Sequence, residues 1–268
     1  MINVALYGND LLKNNLCFNR QSYVNQDNRI EHLVTLKEYL FKKGINLQTL
    51  DKFKKKDKLS CIIQIDNTDK ISTSIPTILI LFEVDSIISE NWSIKKLKKF
   101  DLVLTSYKKN WDKNYDNISD FAWPVYLPMV KKQPSKKFDF KYGLISGNKF
   151  SYEKDSTYAL RREIIKFFEV NIRNDFKHFG FGWNKIPQPV RAGIKGKTDR
   201  LRILLGNKIV KLSGINYGGT INNKDEFYKK TKFVFCIENS LFFPGYLTEK
   251  LWEALCYGSV PIYFGDTS

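Results

Sequence analysis

The sequence predicts an α/β protein of two halves, each built on a parallel sheet. Three observations lead there. At 268 residues the chain has room for two domains of about 130 residues each. Short apolar runs alternate with helical patterns through the first half, the order that builds a parallel sheet. Near the far end, Lys232 to Gly265 reads as strand, helix and parallel strand. Both halves are therefore expected to be Rossmann-like.

The elements follow in order. Ile2 to Leu6 reads as a first strand that ends at Tyr7-Gly8-Asn9. A helix from about Ile30 to Phe41 places Leu33, Val34, Leu40 and Phe41 towards a core, and Gly44 closes it. Strands recur at Ile45 to Leu50, Cys61 to Ile65, Thr77 to Phe82 and Leu102 to Thr105. Lys131 to Lys137, short, basic and broken by Pro134, is the expected linker between domains at residues 1–130 and 138–268. Phe138 to Ile145 opens the second half as a strand, broken by Ser146-Gly147-Asn148. A helix from about Thr157 to Glu169 carries Ile164, Ile165 and Phe168 on one face. Residues 180–220 are Gly-rich and basic and predict only short elements. Lys224 to Lys230 is a short helix leading into the apolar run Phe233 to Ile237, which suits a strand covered on both faces. Thr248 is the expected N-cap of the next helix, Leu251, Ala254 and Leu255 recur at helical spacing, and Gly258 ends it. Val260 to Phe264 closes the unit as a strand.

Composition narrows the classes. The chain is 43% hydrophobic and 15% aromatic, which suits packed cores and excludes a disordered composition. Its formal charge is +16, an excess that favours polyanionic partners: nucleic acid, anionic lipid or phosphate-bearing substrates. Cys17, Cys61, Cys236 and Cys256 show no C-x-x-C pairing and read as buried thiols. With only His32 and His178, a zinc site has little to build from. Met1 leads directly into a strand and no apolar run reaches ~18 residues. The expected location is cytoplasmic, at most peripheral on the inner face of a membrane. No G-x-G-x-x-G is present.

The polar residues of the C-terminal unit gather where a strand ends and a helix begins, the edge at which open α/β sheets bind ligands. There the chain reads F-x-x-x-x-E-N-S, then Y-x-T-E-K, then A-x-x-x-G-S-V-P-I-Y-x-G. The residues are Phe233, Glu238, Asn239 and Ser240; Tyr246, Thr248, Glu249 and Lys250; Ala254, Gly258, Val260, Pro261, Ile262, Tyr263 and Gly265. This resembles the donor-binding signature of the family 10 glycosyltransferases, the α-1,3/4-fucosyltransferases of bacterial type that use GDP-fucose. The resemblance is strong over this stretch, weak over residues 75–170, and fades before about residue 70. It implies a GT-B architecture of two Rossmann-like domains, the second incomplete because the chain stops soon after the Val260 to Phe264 strand. Weak or absent GDP binding is the expected consequence of that early stop. It further implies inverting transfer of L-fucose from GDP-fucose to the 3-hydroxyl (or 4-hydroxyl) of N-acetylglucosamine or glucose in a surface oligosaccharide such as lipopolysaccharide.

Such a displacement needs a carboxylate to accept the proton of the attacking hydroxyl and cations to hold the leaving diphosphate. The resemblance assigns the base to Glu83, which ends an apolar strand in Phe82-Glu83-Val84-Asp85-Ser86, with Asp85 as the local rival. It selects Arg161 over Arg162 for the diphosphate, from the spacing to Ile164, Ile165 and Phe168; a surface arginine is the plain alternative. Glu249 would accept from both ribose hydroxyls, and Lys250 would supply a point charge to the diphosphate. Asn239, Tyr246 and Thr248 are expected at the donor, while Glu238 would hold the fucose or satisfy loop backbone. The absence of a D-x-D pair implies transfer without a bound metal, and no tightly bound cofactor is expected.

Lysine clusters at 52–58 and 95–99 fit an anionic membrane surface better than nucleic acid, because the aromatics lie in apolar runs rather than among the basic residues. GDP-fucose, an oligosaccharide acceptor and an anionic membrane surface are thus the expected partners, with no nucleic acid. Two other readings stay open: an impaired fragment acting as a lipid- or partner-binding module, and a basic nucleic-acid-binding protein.

Overall fold

The computed structural model describes residues 1–25, 29–72, 74–84, 87–106, 115–122, 137–190, 193–205, 214–221, 223–241 and 243–266. The chain divides into two compact units, one of residues 1–126 with 244–246, the other of 127–243 with 247–267. Of the expected linker, only Lys137 falls among the described residues.

The first unit carries six strands: β1 (Ile2–Tyr7), β2 (Ile45–Thr49), β3 (Cys61–Ile65), β4 (Thr77–Leu81), β5 (Leu102–Thr105) and β6 (Ile118–Asp120). They form one sheet in the order β2-β1-β3-β4-β5-β6, and every pairing is parallel. Parallel neighbours need crossovers, here supplied in part by α1 (Glu31–Lys42) and the one-turn α2 (Ile94–Leu97). Order reverses between β1 and β3, so the switch point of this sheet lies at the carboxyl ends of those two strands. On one face Leu33, Leu36 and Leu40 of α1 pack with Val4, Leu6, Leu47, Ile63 and Ile80. On another, Leu97 and Phe100 pack with Leu79, Leu81 and Val103. Phe41 departs from expectation: it is 60% exposed. It sits on the side of the helix shared with Val34, which is covered by Val24 and Ile30 rather than by the sheet; that cover does not extend to the last turn.

In the second unit the strands are β7 (Phe140–Ile145), β8 (Lys149–Phe150), β9 (Phe176–Phe179), β10 (Gln188–Pro189), β11 (Thr231–Ile237) and β12 (Val260–Phe264). The helices are α3 (Tyr158–Asn171), α4 (Gly193–Leu205), α5 (Lys224–Lys230) and α6 (Glu249–Cys256). The main sheet runs β12-β11-β7-β9, again all parallel, with its switch point between β7 and β11. Gly143 of β7 meets α5 closely: a Cβ there would lie 2.4 Å from the Phe227 ring. The end of α6 follows the expected glycine stop. Gly258 takes φ +85°, its N–H bonds to Leu255 O, and Ser259 N–H reaches back to Ala254 O. These two bonds satisfy carbonyls the helix would otherwise leave open.

Strands β6, β8 and β9 and helix α4 were not foreseen, and β9 and α4 show why. Strand β9 hides in Phe-Lys-His-Phe, whose alternation is carried by a histidine: His178 is 0% exposed and faces Phe176, Trp183 and Tyr217. Helix α4 spans a stretch so rich in Lys, Arg and Gly that it shows little apolar period. All four cysteines are free thiols, Cys17 and Cys236 buried, Cys61 and Cys256 partly so. Among the described residues, no helix is long and apolar enough to cross a membrane.

Burial, with Lys177 adding to it, lowers the His178 pKa from 6.5 to about 4, and the nearest carboxylate, Glu169 Oε1, stands 3.8 Å away. In the unfolded chain the imidazole takes a proton first, so stability falls as pH drops from 6.5 towards 4 and changes no further below that. The shift corresponds to about 3 kcal/mol. His178→Leu should remove this share of acid sensitivity. Urea melts of both proteins across the window check it: the gap between variant and wild type must grow in the variant's favour as pH falls.

Candidate functional site

The site of the second unit grows from one buried carboxylate. Glu238 follows β11 directly and is 0% exposed. A buried carboxylate needs donors, and it has them. The Thr248 N–H donates to Oε1 at 2.8 Å, the Thr248 hydroxyl reaches Oε1 at 3.0 Å and Oε2 at 2.7 Å, and Lys250 Nζ lies 3.1 Å from Oε2. Residues ten and twelve positions onward are thus fixed to the end of the strand. Thr248 stands at the N-cap position of α6 as expected, with extended backbone, but its side chain does not cap the helix. Its hydroxyl goes to Glu238 instead, since an ionised acceptor in a dry site binds it more strongly than a helix amide needs it.

The backbone of the same residue is gripped from the other side. Arg161, in the first turns of α3, is neither a surface residue nor an open cation: it is 4% exposed. Its Nη2 donates to Ile237 O at 2.7 Å, Glu238 O at 3.0 Å and Asn239 Oδ1 at 3.0 Å. The Thr157 hydroxyl also donates to Glu238 O. The guanidinium lies 4.7 Å from the centre of the Tyr158 ring. Asn239 therefore spends its side-chain oxygen on Arg161. Tyr246 is buried, in the loop before α6.

A pocket of about 220 Å³ opens where these elements meet, at the switch point between β7 and β11. The end of β7 (Ile145, Ser146, Gly147) forms one wall, and Asn239, Glu249 and Lys250 form another. Four cations line it, Lys149, Arg161, Lys224 and Lys250, against two carboxylates, Glu249 and Glu253. Glu249 is 39% exposed at the side chain and Lys250 23%. Burial alone would raise the Glu249 carboxyl, but Lys250 and Lys224 outweigh it and hold it below the usual range. Burial likewise would lower Lys250, but Glu249 and Glu238 outweigh it and raise it. Both stay ionised at neutral pH. Lys224 and the Tyr228 hydroxyl converge on Glu253, with Nζ 3.3 Å and the phenol 3.1 Å from its oxygens. Sequence reasoning missed Lys224, Lys149 and Glu253. Only the helical spacing of Glu249 and Glu253, one turn apart on the same face, offered a hint.

In the first unit, Glu83 lies just past β4, half-buried, and its N–H donates to Asp66 Oδ1 at 3.1 Å. Its carbonyl accepts from Trp92 Nε1 at 3.3 Å. Asp66, just past β3, was not singled out from the sequence. The rival Asp85 lies outside the described residues.

Residues 206–268 match the model of glycosyltransferase family 10 (fucosyltransferase), C-terminal part. The C-terminal quarter carries the family 10 signature. A protein of Acanthamoeba polyphaga mimivirus named as a fucosyltransferase, R654, is 49% identical over 43 residues. That similarity covers 16% of this chain and only 7% of the mimivirus protein. Among solved structures, an alpha-glucosyltransferase in complex with UDP-glucose and DNA containing an abasic site superposes with a TM-score of 0.52. It is 12% identical, over 98% of this chain and 79% of the other, so the likeness is one of fold. The fold is of the GT-B class, α/β with parallel sheets, as the sequence predicts. The family 10 match covers α5, β11, α6 and β12. Of these, α5, the residue Asn239 after β11, and α6 line one side of the pocket, while the end of β7, Lys149 and α3 line the other.

The Glu238 clamp gives a direct test of how this edge is held. Glu238→Ala leaves the buried Thr248 N–H and hydroxyl without their acceptor. Lys250, 23% exposed and 3.7 Å from Glu249, keeps a partner, so the loss should be about 1–3 kcal/mol. Glu238→Gln, which keeps an acceptor for Thr248 but no charge for Lys250, should lose less. Denaturant melts of the two variants compared with wild type read the difference.

Proposed function

We propose that the chain transfers L-fucose from GDP-fucose to a hydroxyl of an oligosaccharide, inverting the anomeric centre. One coincidence carries the reading. The pocket that gathers four cations lies at the switch point of a parallel sheet, and half of its lining, Lys224, Tyr228, Asn239, Glu249, Lys250 and Glu253, falls in the stretch that matches a fucosyltransferase family. A nucleoside diphosphate suits it on chemical grounds. Two phosphates bring the negative charge that Lys149, Lys224 and Lys250 would balance, at an edge where parallel sheets bind nucleotides. Glu249, held ionised and partly exposed, is suited to accept from ribose hydroxyls. Arg161, Asn239, Thr248 and Glu238 would act mainly by holding these groups in place, because their polar atoms are engaged with one another. Tyr246 remains a donor contact on the strength of the resemblance alone.

In the reaction the acceptor oxygen bonds to the anomeric carbon from the side opposite the diphosphate. The bond from that carbon to the diphosphate oxygen breaks, and its electron pair leaves with GDP. The proton of the attacking hydroxyl passes to a carboxylate, for which we select Glu83. Positive charge grows on the sugar ring meanwhile, and fixed cations favour the departing diphosphate. The resemblance selects the 3-hydroxyl, or the 4-hydroxyl, of N-acetylglucosamine or glucose in a surface oligosaccharide such as lipopolysaccharide.

Calorimetry and transfer assays test this together. Glu249→Ala and Lys250→Ala should each weaken GDP binding by about tenfold or more, the loss of one charge-assisted contact. Glu83→Gln should leave GDP affinity near wild type and reduce transfer by roughly 10²–10⁴. Tighter binding of UDP or CMP than of GDP would overturn the donor assignment.

For location we propose the inner face of a membrane. Lys54, Lys55, Lys56, Lys95, Lys98 and Lys99 are exposed, which suits the anionic inner face of a membrane where a lipid-linked acceptor would grow. Replacing Lys54, Lys55 and Lys56 with Gln should weaken binding to phosphatidylserine vesicles, and added salt should weaken binding of the wild type. Sedimentation of protein with vesicles measures both.

A further inference from the structure

The first unit holds a carboxylate that neither the family 10 match nor the mechanism above uses. Asp66 lies immediately after β3, at the sheet's switch point, where ligand-facing groups of parallel sheets collect. Its backbone is in the left-handed region, at φ +47°. That conformation turns the chain sharply after the strand, and Asp or Asn accepts it more readily than most residues.

Four hydrogen bonds make Asp66 the centre of a small lock. Its Oδ1 accepts the N–H of Phe82 at 2.9 Å and the N–H of Glu83 at 3.1 Å. Its own N–H donates to Ile80 O at 3.0 Å, and its carbonyl accepts from Asn91 Nδ2 at 3.1 Å. The neighbouring Trp92 closes the other side, donating from Nε1 to Glu83 O at 3.3 Å. Both peptide groups of Glu83 are thereby held, one by Asp66 and one by Trp92. Phe82 is fixed further by ring contacts with His32 and Phe121, at 5.9 Å and 6.2 Å between centres.

We infer that Asp66 is the positioning residue of Glu83, holding the backbone that carries the proton-accepting carboxylate and sharing its electrostatic environment. The inference rests on the reading of Glu83 as base. It adds a second carboxyl group to that site. A strand end without this lock would leave Glu83 on a loop free to rotate, and a base misplaced by an ångström loses much of its effect. The two carboxyls also sense one another. Burial and the Glu83 charge, opposed by the N–H donors of Glu83 and Phe82, together raise the Asp66 pKa to about 7. Asp66 gains its charge as pH rises through about 7, and the field it adds beside Glu83 then favours a proton moving to Glu83.

Two variants separate holding from mere folding. Asp66→Gly tolerates the left-handed backbone but offers no acceptor to the two N–H groups. Asp66→Asn keeps both the backbone preference and an acceptor oxygen, and removes the charge. Transfer and GDP affinity are measured for both beside Glu83→Gln. Asp66→Gly should lower kcat by about 10–100-fold with KM for GDP-fucose and GDP affinity unchanged. In the wild type, kcat should show an inflection near pH 7 that is missing in Asp66→Asn, an effect a purely structural residue would not produce. A wild-type kcat in Asp66→Gly, or the same pH profile in Asp66→Asn as in wild type, overturns the inference while leaving Glu83 as base if Glu83→Gln is inactive. Full activity in Glu83→Gln overturns both together.

Discussion

The second unit depends on one charge placed where water cannot reach it. The Glu238 carboxylate is fully buried, and it stands at the carboxyl end of the central strand β11. A charge in such a place is unfavourable by several kcal/mol unless donors surround it. Thr248 and Lys250 supply those donors, and doing so fixes the entry to α6. Arg161 and Thr157 hold the peptide carbonyl of the same residue from α3. Strand β11, helix α3 and helix α6 are therefore pinned at a single point. The pocket wall built by Asn239, Glu249 and Lys250 inherits its geometry from that point.

The same architectural logic appears in each sheet separately. Both are all-parallel, and in both the strand order reverses once. At a reversal the helices on either side of the strands diverge to opposite faces and leave a crevice above the carboxyl ends. In the second sheet the crevice is lined by the ends of β7 and β11 and filled with cations. In the first it is flanked by Asp66, whose carboxyl group is tied to the backbone leaving β4. Polar groups at both crevices are bonded to main-chain atoms of the neighbouring strand end. Such bonds hold side chains on rigid elements rather than on loops, which is what a site needs to be pre-shaped.

Much of this was legible in the sequence, and the failures have physical causes. Cys61–Ile65, Leu102–Thr105 and Val260–Phe264 stand out as short apolar runs bounded by polar residues, although Val260–Phe264 lies at the sheet edge with no residue buried. Gly258 announced the end of α6 because only a left-handed residue closes a helix in that way. Strand β9 was hidden because a histidine occupies a core position among aromatic rings. Helix α4 was hidden because its charged residues obscure any apolar stripe. At the site, the motif residues were found but their partners were not. That Glu238 turns inward, that Arg161 is buried against backbone carbonyls, and that Lys224 joins Glu253 are facts of tertiary contact between positions 10 to 78 residues apart. Asp66 was unreadable for the same reason: Asp66-Asn67-Thr68-Asp69 looks like any polar turn until β4 lies beside it.

The contrast between Arg161 and Lys250 shows how neighbouring cations divide labour in one pocket. Arginine is rigid and forked, suited to several acceptors in one plane, and here its Nη2 joins two carbonyls and one amide oxygen. Lysine carries three donors on a point charge. Two of Lys250's are directed to Glu238 and the Thr248 hydroxyl, and Glu249 Oε1 lies 3.7 Å from the ammonium on the pocket side. Anchoring the ammonium in this way removes most of its rotamer freedom before any ligand arrives, so less entropy is lost on binding. The same anchoring keeps it charged, because Glu249 and Glu238 more than offset the effect of burial. A flexible surface lysine would be more exposed and no less cationic, but it would have to be ordered by its ligand. The buried carboxylate thus acts twice, as the fastener of the fold and as the group that holds a cation ready at the pocket wall.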